Sequence, residues 1–136
     1  MNTKKFPIFI KLILIVYAIC FLGGGLRHWV DIINGGLFPY NDVPFIFNFY
    51  LTSLAILDFI VIMLLLMRTI SGLLLSILIM ATDLPVDLYL CNRYWENCSF
   101  NANHGLQLLT LFSLFVFISA PIVIFKLRKC NGKYIL

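Results

Sequence analysis

Charge is what this chain has least of. Asp, Glu, Lys and Arg together make 12% of its 136 residues, against about 25% in soluble domains. With so few charges no water-facing shell can form around a core, so an ordinary soluble domain is excluded. Glutamate is absent from every apolar stretch, no nucleophile-elbow motif surrounds any serine, and no low-complexity tract, internal repeat or separate soluble domain is visible. In place of charge there is 62% hydrophobic content and a mean hydropathy of +1.00. These values predict an integral membrane protein of one domain, residues 1–136, with any activity held in the helices or their short loops.

Four apolar segments emerge, about 6–26, 45–67, 70–91 and 105–127, each long enough to cross a hydrocarbon layer of about 30 Å. The fold class expected is all-α, a bundle of four transmembrane helices. The first run follows MNTKK, but Ile19 before Cys20 is too bulky for a lipoprotein cleavage site, and the run is longer than a signal-peptide core. It is read as a retained helix, with Lys11 near its end reaching to the headgroups. Arg68 and Thr69 alone separate the second and third segments, which implies a tight antiparallel hairpin. The outer loops are expected over 27–44 and 92–104. In the first of them Asn34-Gly35-Gly36, Pro39 and Pro44 argue for turns, and Gly23-Gly24-Gly25 is read as ending helix one by a break or a close approach.

Basic residues set the orientation. Lys4, Lys5, Lys11, Arg68, Lys126, Arg128, Lys129 and Lys133 fall on one side and only Arg27 and Arg93 on the other, so both termini are expected to be cytoplasmic. The tryptophans Trp29 and Trp95, with Tyr40 and Tyr94, then fall at the outer interface. Inner-side Lys and Arg meet anionic headgroups, which removes the nucleic-acid reading of a basic protein. The expected setting is a bacterial cytoplasmic membrane, with the lipid bilayer as the first partner.

The organising stretch is ISGLLLSILIMATDLPVDLYLC, residues 70–91. Asp83 and Asp87 are four apart, so they share a helix face, and Met80, Ser76 and Gly72 continue it as a stripe of small or polar groups that must face protein or water. Pro85 between the two acids frees the carbonyl of Ala81 and bends the helix there. On the expected topology these aspartates converge with Arg27 and His28 at the end of helix one, Asn48 and Thr52 in helix two, and His104 and Gln107 at the start of helix four. Asp58 lies deeper in helix two. An aspartate at a helix centre costs about 2.5–3.5 kcal/mol on insertion scales, so three of them call for a role.

One role is internal pairing, Arg27 or His28 with Asp83 or Asp87, that fixes helix register. A second is a water-accessible pocket with the aspartates as its acidic wall and 27–44 as its lid, taking a small hydrophobic, lipid-like or cationic ligand. A third is contact with a membrane-protein partner as an accessory subunit. Metal binding is not expected, because His28, His104, Asp83 and Asp87 come from three segments with no close ligand spacing, and no cofactor is implied. A Cys91–Cys98 disulfide is expected to close the second outer loop if that side is oxidising, with Cys20 and Cys130 reduced. The pair lacks the two-residue spacing of thioredoxin-like motifs. Asn97-Cys98-Ser99 also fits a glycosylation acceptor.

Asn48-Phe49-Tyr50, Ser53-Leu54 and Asp58, then Ile79-Met80 with Asp83 and Asp87, make the chain resemble a family of small four-helix bacterial membrane proteins from the first outer loop through helix four. More distantly, acids in the second and third of four helices look like the EXPERA membrane domain of sterol isomerases and sigma-2-receptor-type proteins. That resemblance implies an intramembrane pocket for a lipid-like or amine ligand, isomerase chemistry, or a proton shuttle of the kind a transport subunit uses. The DoxX-like group has a similar layout.

Overall fold

The computed structural model describes residues 7–95 and 98–131. Lys4, Lys5, Lys133 and Asn97, which entered the orientation and glycosylation readings, lie outside the described residues, as does the side chain of Cys130. The fold is all-helical, with four helices long and apolar enough to cross a membrane: α1 (Ile8–Gly35), α2 (Phe45–Met67), α3 (Thr69–Arg93) and α4 (His104–Asn131). There is no strand among the described residues. Each helix packs on the next in chain order, and α1 meets α4 only over a short stretch.

Proline sets two of the starts. Pro7 and Pro44 stand immediately before α1 and α2, where a missing amide proton costs nothing because the first turn has no acceptor for it. Arg68 alone separates α2 from α3, in a non-helical conformation that folds the chain straight back. Gly72 makes that return possible. A Cβ there would lie 2.6 Å from the Leu65 amide nitrogen and 2.9 Å from Leu64 C and Leu65 Cα, so the two backbones touch.

The largest departure from the sequence reading is at α1. The helix does not end at Leu26; it runs through Gly23, Gly24 and Gly25 and on to Gly35, so Arg27, His28 and Asp31 are helical. Glycine in a helix costs about 1 kcal/mol relative to alanine. Where backbone groups have no water to bond, breaking the helix costs more. Gly24 and Gly25 serve instead as a contact face: a Cβ on Gly25 would come 3.1 Å from the Phe59 ring and 3.2 Å from Asp58 Cβ. The helix stops at Gly36, whose φ of 83° and ψ of −173° suit glycine alone. Beyond Leu26 the extension is fastened to α2 by the indole of Trp29, which donates to Ala55 O at 3.0 Å. α3 likewise continues through Pro85 without ending.

The α1/α4 contact is an aromatic block. Tyr17, fully buried, sits edge-on to Phe21, Phe112 and Phe115 with ring centroids 5.7–6.5 Å apart. The Tyr17 hydroxyl donates to Val116 O at 3.3 Å and lies 2.9 Å from Ser119 Oγ, which itself donates to Phe115 O. The Gly72, Ser76, Met80 and Asp83 stripe is buried against protein, while Leu74 and Leu78 point outward at 50% and 61% exposure.

Candidate functional site

Above the aromatic block α1 and α4 part, and a cavity of about 370 Å³ opens at the end of the bundle that carries the 36–44 and 94–103 connections. From α1 it takes Gly24, Arg27, His28 and Asp31. Those four are spaced i, i+3, i+4 and i+7, so the helical extension places them on one stripe. Asp83 and Asp87 come from α3, Leu51 from α2, and Gly105, Leu106 and Leu109 from α4. Tyr40, Trp95 and Asn103 reach in from the connections.

The wall contributed by α1 is ordered by a hydrogen-bond chain. The Tyr40 hydroxyl donates to Asp31 Oδ2 at 2.7 Å. Its single proton is thereby used, so His28 must donate from Nδ1 to the Tyr40 oxygen, 3.2 Å away. Burial first, and then the bond to Asp31, hold the Tyr40 phenol protonated well above the ordinary tyrosine range. Asp31 is thus committed to the protein, and His28 with it.

Asp83 is not. Its side chain is 8% exposed, it lines the cavity, and its Oδ1 is buried without any hydrogen-bond partner among the described residues. Internal pairing of Asp83 with Arg27 or His28, as the sequence allowed, would have filled that oxygen; His28 is turned to Tyr40 instead. A buried carboxyl oxygen without a hydrogen-bond partner is costly, and it belongs to a residue of the cavity lining. Aspartates at 31, 83 and 87 share the lining with one arginine, Arg27.

Four of the eight ligand-binding residues expected from sequence, Asp83, Asp87, Arg27 and His28, come together in this lining, and the other four do not. Asn48 is a clamp: its Nδ2 donates to Phe38 O at 3.3 Å and Tyr40 O at 3.0 Å, and its Oδ1 accepts from the Tyr40 amide at 3.3 Å. It holds Tyr40 in place from α2 and only indirectly serves the cavity. Gln107 is also a clamp, donating from Nε2 to Phe100 O and Asn101 O. His104 opens α4 and is exposed. Asp58 lies behind the wall, 5% exposed, with Oδ2 where it would be 2.9 Å from a Cβ on Gly24. Among the described residues no group of three or more His, Cys, Asp or Glu is placed to hold a metal ion.

Asp31, Tyr40, Asn103 and Trp95 were not expected as site residues. A signal for Asp31 existed in its seven-residue spacing from Gly24, but it is informative only once α1 is known to continue. Cys91 and Cys98 are bonded, with Cα atoms 5.2 Å apart, and Cys20 is a free thiol. Asn103 caps α4 by accepting from the Leu106 amide at 3.0 Å.

Replacing Asn48 with alanine removes all three bonds to the 38–40 segment. The expected cost is about 1–3 kcal/mol, read as a lower melting temperature in detergent together with faster proteolytic cutting between 36 and 44. Unchanged cutting would show that Tyr40 is held by other means.

No family model matches the chain, and neither a curated protein nor a solved structure is detectably similar to it.

Proposed function

We propose that this chain is a small multi-pass protein of a bacterial cytoplasmic membrane whose pocket, opening away from the cytoplasm, binds a small cationic or amphiphilic ligand. The observation that carries the reading is Asp83, which lines a cavity of about 370 Å³ and whose Oδ1 is buried without a partner among the described residues; the volume is near the lower end of what encloses small molecules, roughly 300–1,000 Å³. A protonated amine would supply the missing donor and the compensating charge together. Leu51, Leu106 and Leu109 offer apolar surface to the remainder, and Trp95 and Tyr40 add aromatic rings to the lining, a residue type that attracts cations. Two independent features support the orientation. Among the described residues Lys11, Arg68, Lys126, Arg128 and Lys129 lie at the opposite end of the bundle, and the Cys91–Cys98 bond lies at the pocket end, as disulfides persist outside the reducing cytoplasm.

Native mass spectrometry of the protein extracted gently from its own membrane tests the reading. The spectrum is recorded first as isolated and then with phenethylammonium, its neutral counterpart 2-phenylethanol, or the anionic 3-phenylpropionate added. A retained small cation, or uptake of the ammonium in clear preference to the other two, is the expected result. Equal uptake of all three would remove the charge argument. A stoichiometric protein partner in place of any small molecule would make the aspartates assembly contacts of an accessory subunit.

A further inference from the structure

One side of the pocket belongs to no long helix face. Trp95 and Asn103 line it from the short connection between α3 and α4, and both bond to Cys98, one half of the disulfide. The Trp95 amide donates to Leu90 O at 3.1 Å, one residue before Cys91, and its carbonyl accepts from the Cys98 amide at 3.2 Å. On the other side Asn103 Nδ2 donates to Cys98 Sγ at 3.5 Å, and the Asn103 amide donates to Ser99 O at 2.9 Å. The same Asn103 side chain caps α4 through Leu106, another lining residue. A continuous set of bonds therefore runs from the end of α3, through the two sulfurs, to the first turn of α4. Among the described residues the disulfide is its only covalent cross-link.

We infer that the Cys91–Cys98 disulfide is a redox gate on the pocket: oxidised, it holds Trp95 and Asn103 as a wall around the ligand, and reduced, it releases them. The inference rests on the ligand-binding reading above. Access favours chemistry from one side, because Cys91 is 6% exposed while Cys98 is only partly covered. A dithiol reductant attacks through one thiolate at Cys98 Sγ, forming a mixed disulfide and expelling the Cys91 thiolate, which takes a proton. Its second thiol then displaces Cys98 and closes a cyclic disulfide. Two electrons and two protons pass to the protein, and the reductant leaves oxidised by the same two electrons. Opening the bridge returns chain entropy to the connecting segment and frees Cys98, to which both the Trp95 carbonyl and Asn103 Nδ2 are bonded, from α3.

The test compares the oxidised wild type, the same protein after treatment with a dithiol, and a Cys91→Ser/Cys98→Ser double variant. Phenethylammonium uptake is measured by native mass spectrometry, and amide hydrogen exchange is followed over 98–106. The expected result is at least tenfold weaker uptake in the reduced and serine forms, with faster exchange at Asn103 and Leu106, and recovery on reoxidation of the wild type. Tight uptake in both redox states overturns the gate and leaves the pocket reading standing. A lower melting temperature with unchanged affinity likewise overturns it, making the bridge a staple only. Uptake in neither state overturns the pocket reading and the gate with it.

Discussion

Gly72→Ala is expected to destabilise the bundle by about 3 kcal/mol or more, near or beyond the upper end of ordinary overpacking costs. The added Cβ would meet backbone atoms of Leu64 and Leu65 at 2.6–2.9 Å, and backbone cannot swing aside as a side-chain tip can. Nor can the helices separate locally, because Arg68 is the whole connection between α2 and α3. Gly23→Ala supplies the control, since nothing lies within 4 Å of its Cβ position. There the helix-propensity gain of up to about 1 kcal/mol should leave stability equal or slightly higher. Thermal melts of the two variants in one detergent decide the matter. A Gly72→Ala protein as stable as wild type would mean that α2 and α3 are not in backbone contact.

Asp83→Asn should behave in the opposite way, sparing the fold and weakening ligand binding. The carboxylate oxygen has no partner to lose, so the melting temperature should stay unchanged or rise, as it does where a site is kept at some cost to stability. The affinity for a cationic ligand should fall by roughly 10- to 150-fold, the equivalent of one charge-assisted hydrogen bond of about 1.5–3 kcal/mol. Asp31→Asn is a useful comparison, since that carboxylate is engaged by Tyr40 and its loss should disturb the wall before it disturbs the ligand's charge. Destabilisation of Asp83→Asn by more than about 2 kcal/mol would point to a buried basic partner left uncompensated. Ligand uptake indifferent to the substitution would remove Asp83 from the site.

Helix number, the hairpin at Arg68 and the protein-facing stripe through Gly72 and Ser76 were legible because length and periodicity respond to one strong force, the exclusion of polar groups from hydrocarbon. The convergence of Arg27, His28, Asp83 and Asp87 was legible for the same reason, since few places in such a bundle can take them. Three glycines in a row mislead, because their local cost argues for a break while the reward, contact of Gly24 and Gly25 with Asp58 and Phe59, is tertiary. With α1 ended at Leu26, Asp31 falls into a loop and its register with Gly24 and Arg27 vanishes. Asn48 and Gln107 were placed among ligand groups because residue type alone cannot separate an amide that binds a ligand from one that clamps backbone carbonyls. Only the positions of Phe38, Tyr40, Phe100 and Asn101 make that distinction.

The unequal lengths of the helices bear on how the bundle would sit in lipid. α1 and α4 each have 28 residues and α2 has 23, or about 42 Å against 35 Å at 1.5 Å per residue. A hydrocarbon slab of about 30 Å leaves the two long rods in positive mismatch, to be absorbed by tilt or by protrusion. Protrusion at the Gly35 end would lift His28 and Asp31 to the depth of the headgroups, while Gly24 and Leu51 stayed among the acyl chains. The cavity would then straddle the polarity gradient of the leaflet and draw its ligand from the interfacial layer, so that local membrane concentration, more than the dissolved concentration, would govern its occupancy.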